Sequence, residues 1–417
     1  MQIKFFKILT VATCFSSQYA FSQFQTGTGD NAVTIAAQDR SGGARPITTT
    51  VLFLNITPES RGGGMGDVGV ATSPDANSQY WNMGKLSFID KGYGGAISIN
   101  PWLRNLINDM YLSQLSGFYR LSKEEVVGAS LTYFDLGKIQ FTDISGNALN
   151  SFSPQEFAAT FGYSRKLSKT FGVGINAKYI HSNLIGSIAT SGGTEPGKAA
   201  KSGAVDIGFY YTKPLNINGT KNNLALGLNI SNLGPKMTYS NDNQKDFIPT
   251  NLRLGGSFTH ELDQYNKVTF SVDANKLMVP TTPVYFKKNN STIDSLDKNN
   301  KRVIAFGEDP NKPLIGGMLG SFSDAPGGFN EELKEITLGG GVEYLYNNVF
   351  AVRGGYFNES KLKGNRKYMT IGVGLRYNYF IIDMSYLVAF NQNNPLGNTL
   401  RFTLGMVFDK QSDSVAK

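Results

Sequence analysis

The stretch Lys367–Phe390, KYMTIGVGLRYNYFIIDMSYLVAF, followed by Thr399–Phe408, TLRFTLGMVF, decides the fold class of this 417-residue chain. Phe380, Ile382, Met384, Tyr386, Val388 and Phe390 fall on one parity, while Asp383, Ser385 and Ala389 share the other with Ile381 and Leu387. The neighbouring segments repeat the pattern. Met369, Ile371, Val373, Leu375 and Tyr377 alternate with Thr370, Gly372, Gly374 and Arg376, and Leu400, Phe402, Leu404, Met406 and Phe408 alternate with Arg401, Thr403 and Gly405. A helix would spread these apolar side chains round its circumference, so the period of two reads as strand. Working back along the chain, fourteen such segments lie near 94–101, 111–121, 125–140, 155–166, 170–186, 201–214, 222–232, 249–261, 265–277, 335–346, 349–358, 366–376, 379–389 and 398–408. Their usual length matches the roughly 9–11 residues that a tilted strand needs to cross a bilayer.

The connections give an independent check. Those after the second, fourth, eighth, tenth and twelfth segments are minimal, and the sixth is modest. The alternate ones are mostly longer, including 141–154, 187–200, 233–248 and a 57-residue stretch from 278 to 334. Short turns at one end and long loops at the other define an all-β, antiparallel, fourteen-stranded transmembrane barrel of a Gram-negative outer membrane, with long loops extracellular and both termini periplasmic. A soluble sandwich would not keep Phe, Tyr, Met and Leu so consistently on one face and Gly, Ser, Thr and single charges on the other. The composition agrees, with 47 glycines, 28 phenylalanines and 20 tyrosines. Slightly negative mean hydropathy does not argue against a membrane, because each strand averages a lipid face with a lumen face.

Residues 1–22 read as a secretory signal, with Lys4 and Lys7, an apolar run from Ile8 to Phe15, and Ala20-Phe21-Ser22 before the cut. A lipoprotein signal ending at Cys14 is the competing reading, with Thr13 a poor fit before that cysteine. Cys14 is the only cysteine and the chain has two histidines, so disulfide scaffolds and zinc clusters lack ligands. The net charge of +8 is spread over a chain with only 17% charged residues, which argues against nucleic acid. The remaining chain divides into a flexible periplasmic N-terminal segment 23–50, a plug 51–92, the barrel 93–409 and a tail 410–417.

A fourteen-strand lumen is wider than one that side chains alone can fill, so it needs a plug. The block Arg61–Asn82, RGGGMGDVGVATSPDANSQYWN, supplies one, with plug residues Gly62, Gly63, Gly64, Gly66, Gly69, Trp81 and Asn82. Ser73 as N-cap and Pro74 at the first helical position predict a short helix around 75–85. Gly64, Gly66 and Gly69 spell G-x-G-x-x-G, but without a preceding strand and a Rossmann unit the glycines read as close backbone packing and not as a nucleotide site. The whole block from Phe53 to Asn82, FLNITPESRGGGMGDVGVATSPDANSQYWN, closely resembles the N-terminal region of the PorV (LptO) family within the wider FadL-like barrel superfamily. Many FadL-like proteins carry Asn-Pro-Ala-Gly where this chain has Asn82-Met83-Gly84-Lys85, a departure that bears on the fatty-acid-channel mechanism and not on the fold. The resemblance implies a non-enzymatic outer-membrane component of the type IX secretion system. Such a component docks beside the large translocon barrel, accepts cargo through the cargo's C-terminal domain, and hands it to the cell-surface attachment protease. Outer-membrane lipid is the remaining partner, and no cofactor is implied.

The residues themselves give catalysis little support. His181 and His260 fall on outward parity near opposite membrane faces, so they cannot share a metal or a triad. Arg253, Asp273, Glu343, Arg353, Arg376, Asp383 and Arg401 form an inward charge cluster of both signs, read as pairing with one another and with plug groups inside a polar lumen. The long loop holds a charged run, Lys287–Arg302, and then Phe306, Leu314, Ile315, Met318, Leu319, Phe322 and Phe329 among glycines and prolines. Apolar side chains on an extracellular loop either cap the barrel mouth or bind a partner. A secretion partner predicts a closed, polar lumen. The alternative, a FadL-like uptake channel for hydrophobic small molecules, predicts an apolar pocket and a lateral gap.

Overall fold

The computed structural model describes residues 44–104, 107, 109–142, 148–184, 198–239, 245–288, 294–390 and 396–409. The expected signal peptide 1–22, residues 23–43 and the tail 410–417 lie outside the described residues. The barrel strands are β1 (Tyr93–Pro101), β2 (Tyr111–Arg120), β3 (Glu125–Asp135), β4 (Gln155–Lys166), β5 (Phe171–Asn183), β6 (Ala200–Ile217) and β7 (Thr220–Leu233). They continue as β8 (Asn251–Glu261), β9 (Asn266–Leu277), β10 (Thr337–Tyr346), β11 (Phe350–Asn358), β12 (Lys367–Tyr377), β13 (Phe380–Ala389) and β14 (Leu400–Phe408). Each pairs antiparallel with its neighbours in chain order, and β1 closes the ring onto β14. Apolar partners stack on the outer face, as in Phe380↔Met406, Ile382↔Leu404 and Met384↔Phe402. Closure leaves no free sheet edge, the requirement for a sheet in hydrocarbon. Among the described residues no helix is long and apolar enough to cross a membrane.

Turn chemistry explains the short end. Asn218 and Gly219 between β6 and β7, and Asn347 and Asn348 between β10 and β11, all take positive φ, the conformation that two-residue hairpin turns require. The sixth connection is the tightest of these, not a modest loop, because β6 and β7 run on to meet at Asn218-Gly219. The third strand ends at Asp135 and not at 140. The Asp135 carboxylate accepts the Gly137 N–H at 2.9 Å, Gly137 turns at φ +81°, and Ile139–Thr142 then pairs with Ala148–Phe152 as a separate hairpin. The one irregular barrel register, between Val205 and Ile207 on β6, has the Asp206 carboxylate accepting the Asn232 N–H at 2.8 Å across the bulge. The ladder is otherwise regular.

Within the long loop, Leu314–Gly320 (α3) and Phe329–Glu332 (α4) are helical, and the 3-10 turn Leu333–Glu335 leads into β10. Residues 285–303 form a compact unit of their own, in which Lys287 pairs with Asp294 at 2.6 Å and Arg302 stacks over Tyr285. The expectation of a flexible periplasmic segment 23–50 is corrected for its described part. Arg45 N–H donates to Leu362 O at 2.6 Å and Thr50 N–H to Phe247 O at 3.0 Å, so residues 44–50 lie among the long loops. Bonds to loop carbonyls fix this strap where composition alone suggested freedom.

The short-turn and long-loop ends make sidedness testable in a chain whose only cysteine, Cys14, lies in the expected signal peptide. An impermeant thiol reagent on intact cells is expected to label Ser323→Cys, in a long loop, and to spare Lys123→Cys, in a short turn. The opposite labelling would invert the topology.

Candidate functional site

The plug begins at a buried carboxylate. Glu59 caps α1 (Ser60–Gly63), accepting the Arg61 and Gly62 N–H groups at 2.5 and 2.7 Å, and its Oε1 also accepts Trp81 Nε1–H at 2.9 Å. Arg61 then uses all five guanidinium donors. Nε and Nη2 bond the two Glu343 oxygens at 3.1 and 2.9 Å, Nη1 donates to Ser73 O and Asp75 Oδ2, and Nη2 donates also to Ser73 Oγ at 2.7 Å. Ser73 is thereby withdrawn from capping. The expected helix at 75–85 is replaced by one turn, α2 (Ser78–Trp81), and a 3-10 segment Met83–Phe88, with Asp75 receiving Asn77 N–H.

Lys85, fully buried, donates to Gly69 O at 2.7 Å and to Thr72 Oγ1 at 2.9 Å. Asn82 donates to Val70 O and Phe209 O, and receives Gly84 N–H. The predicted plug glycines sit at contacts that a side chain would destroy. A Cβ on Gly69 would lie 2.1 Å from the Trp81 ring and one on Gly62 2.5 Å from it, while one on Gly63 would meet the Arg401 guanidinium at 2.6 Å. Gly64 lies against Gly372 of β12. Gly66 has φ +76°, its N–H donates to Thr370 Oγ1 at 2.8 Å, and an added Cβ would meet Tyr356 O at 2.6 Å and Gly340 O at 2.7 Å. The wall reciprocates with Gly341 and Gly355, where a Cβ would strike Met65 and Gly66 within 2.3 Å. Sequence reasoning missed these wall glycines, although Gly341 and Gly355 share the inward parity of Glu343 and Arg353. It also assigned no role to Glu59, Arg61, Asp75 or Lys85.

The lumen charges occupy inward positions, and most engage the plug. Arg353 bonds Glu343 at 2.7 Å and Asp383 at 2.6 Å, extending the Asp75–Arg61–Glu343 chain across β10, β11 and β13. Asp273 accepts the Gly69 and Val70 N–H groups at 2.7 and 3.0 Å. Arg253 donates to Asn275 at 2.6 Å and lies over the Trp81 ring. Arg401 reaches Asp67 at 3.4 Å and Gly63 O at 3.3 Å, and Tyr368 hydrogen-bonds the same aspartate. Arg376 sits apart near the short-turn end of β12, with no direct ion pair among the described residues.

Above the plug, toward the long loops, a cavity of about 690 Å³ is lined by Phe53, Trp102, Leu103, Phe134 and Leu136 together with Arg253 and Glu156. The loop side chains divide. Met318 is buried, Phe306 and Leu314 are half-buried, and Ile315, Leu319, Phe322 and Phe329 are 62, 65, 44 and 74% exposed. His181 stacks on Phe157 and His260 bonds Asn222, at opposite ends of the barrel. Among the described residues no group of three or more His, Cys, Asp or Glu side chains could hold a metal.

A closed fourteen-strand barrel with an apolar outer belt and a lumen filled by a polar plug defines an outer-membrane barrel protein. The chain belongs to the PorV family, matching the family described as Type IX secretion system protein PorV over residues 37–284. No curated protein matches it. Among solved structures it is similar to the CymD monoaromatic hydrocarbon channel (11% identity, 88% of this chain and 100% of that one, TM-score 0.47). It is also similar to the Pseudomonas putida toluene transporter TodX (12%, 88% and 98%, 0.44) and to a Pseudomonas aeruginosa FadL homologue (11%, 88% and 100%, 0.41).

Two outcomes follow from this geometry. Gly66→Val forces a β-branched residue to positive φ against two wall carbonyls, at a cost of roughly 1–3 kcal/mol. The ladders do not depend on it, so heat-modifiable migration should persist while sensitivity to large antibiotics rises. Unchanged sensitivity in both Gly66→Val and a deletion of 61–72 would place the segment outside any sealing role. In the long loop, burial pushes the Asp324 carboxyl up to about 6, Glu332 and Glu335 add to the rise, and Thr281 N–H opposes it at 3.2 Å. A carboxyl raised in the folded state penalises folding above that value, and the penalty fades as pH falls through 6 toward the ordinary 3.8. Asp324→Asn should therefore slow proteolysis of the loop at pH 8 and have little effect at pH 4, measured by cleavage half-life.

Proposed function

We propose that this chain is the non-enzymatic cargo-handling barrel of its secretion system. It binds the large translocon barrel, receives cargo through the cargo's C-terminal domain, and passes it to the cell-surface attachment protease. The observation that carries this reading is the exposure of four large apolar side chains, Ile315, Leu319, Phe322 and Phe329, on one extramembrane loop. Large apolar side chains left exposed on an ordered loop are a mark of protein contacts where they form a patch. The filled lumen supports the same reading. Arg61 and Arg401 tie plug to wall, and Arg353 braces Glu343, the wall partner of Arg61, so transport of a solute would have to break buried ion pairs. The plug residues Gly62, Gly63, Gly64, Gly66, Gly69, Trp81 and Asn82 act in this reading as seal and scaffold.

The mouth cavity favours a second reading as an uptake channel for hydrophobic small molecules, because aromatic and aliphatic side chains dominate its lining. That reading needs an onward path through or beside the plug. Deleting the gene should leave cargo with an uncleaved C-terminal domain, trapped inside the cell. Replacing Ile315, Leu319 and Phe329 together by serine should reproduce the defect at normal protein abundance. Full surface display in the deletion strain, with lipid co-purifying with the wild-type protein, would replace the secretion reading by uptake.

A further inference from the structure

Three basic side chains from three separate parts of the chain converge on one short acidic segment of the long loop. Arg45, from the N-terminal strap, bonds both Glu331 oxygens at 2.7 and 3.1 Å. Lys363, from the connection between β11 and β12, reaches Glu331 at 2.7 Å and Glu335 at 2.8 Å. Lys276, near the end of β9, reaches Glu332 at 3.0 Å and Glu335 at 2.5 Å, and the Thr281 hydroxyl donates to Glu335 at 2.6 Å. Three cations meet three carboxylates, and none of the six side chains is more than 13% exposed. Burial works against the Glu331 charge, yet Arg45 and Lys363 hold its carboxyl down to about 2.

The position of this cluster gives it a role that no strand ladder fills. The strap enters at Arg45, and its continuation supplies Ile47, Thr49, Val51, Phe53 and Ile56 to one wall of the mouth cavity, while Glu335 and Lys363 line the same space. Between 44 and 50 the attachments of the strap include the Arg45 pair, main-chain bonds to Leu362 and Phe247, and the Thr50 hydroxyl donating to Phe247 O at 3.2 Å. A buried ion pair adds little net stability when whole, but removing one partner strands an uncompensated charge, so such a cluster holds or releases as a unit. The barrel closes without it. We propose that this cluster is a latch that clamps the strap, the long loop and the β11–β12 connection together, and that its release frees the strap and opens the mouth cavity to the long-loop side. The inference stands independently of the secretion reading.

A single cysteine placed in the cavity reads the latch directly, since the chain's only cysteine, Cys14, lies in the expected signal peptide. Met110 lines the cavity and is buried, so Met110→Cys in outer-membrane preparations should react slowly with an impermeant maleimide. Added Arg45→Met or Lys363→Met should raise the labelling rate at least tenfold, whereas Lys363→Arg should keep it within about twofold. Lys312→Met, which removes an exposed pair with Glu308 outside the cluster, should leave it unchanged. A second reporter, Met83→Cys in the fully buried plug, should stay unlabelled throughout. Parental labelling rates in both methionine variants overturn the latch, as does parallel labelling of the plug reporter, which would mean general loosening. Should Lys363→Met fail to insert, Arg45→Met decides alone, because Arg45 lies in the strap ahead of the first barrel strand.

Discussion

The most fully bonded link between plug and wall is one guanidinium. Arg61 has five donors, and the structure gives every one an acceptor, two on Glu343 of the wall and three on Ser73 and Asp75 of the plug. In a lumen shielded from water, an unsatisfied guanidinium or a lone Glu343 would cost roughly 3–5 kcal/mol. Neither the plug nor β10 can therefore be altered at this point without the other. Arg353 passes the constraint on, because it neutralises the second lone pair of Glu343 Oε2 and fixes Asp383 on β13. Fourteen strands make a ring too wide for its own side chains to fill, and this ion chain is what makes a polar peptide an acceptable filling.

Given that anchor, the glycines become necessary. A plug tied to the wall through short ion pairs must run its backbone against the wall backbone, and Gly66 lies against Gly355 with no room for a Cβ on either side. Small residues on both partners let main-chain donors reach wall acceptors, as Gly66 does at Thr370 and Gly69 and Val70 do at Asp273. Trp81 fills the remaining volume over Gly62 and Gly69, with its indole N–H satisfied by Glu59.

How much of this was legible in the sequence follows from what periodicity encodes. Parity assigns a face to each strand residue, so the fourteen strands and the inward charges were readable, and asparagines at turn positions marked the short end. Parity does not encode depth across the ring or the partner that will arrive there. Arg353 and Arg376 look equivalent on neighbouring strands, yet the first sits between two carboxylates and the second has none in direct contact. The helix expected at 75–85 failed for a related reason. Ser73 and Pro74 are a sound local start signal, but a tertiary partner twelve residues upstream consumed the serine, and capping preferences are too small to compete with a buried arginine. The strap was read as free because residues ahead of the plug carry no strand periodicity, and the distant Glu331 and two loop carbonyls that claim it leave no local signal.

The long loop reverses the usual arrangement of a surface segment. Its acidic side, Glu331, Glu332 and Glu335, is buried and neutralised, while Ile315, Leu319 and Phe329 are exposed and Phe322 is half-exposed with its ring under Lys276. Hydrophobic burial alone would favour the opposite orientation, with the apolar group on the cavity lining and the carboxylates in water. The sequence prevents that inversion by placing Lys276, Lys363 and Arg45 at the mouth, where they would be left as unpaired buried cations if the acidic segment turned away. The apolar group is thus presented on an ordered base. A partner binding there does not have to order the loop first, and that ordering is a cost of roughly 0.5–1.5 kcal/mol per immobilised flexible side chain. The buried carboxylates and their cations thus set which face of the loop meets water, and the exposed apolar side chains follow from that pairing.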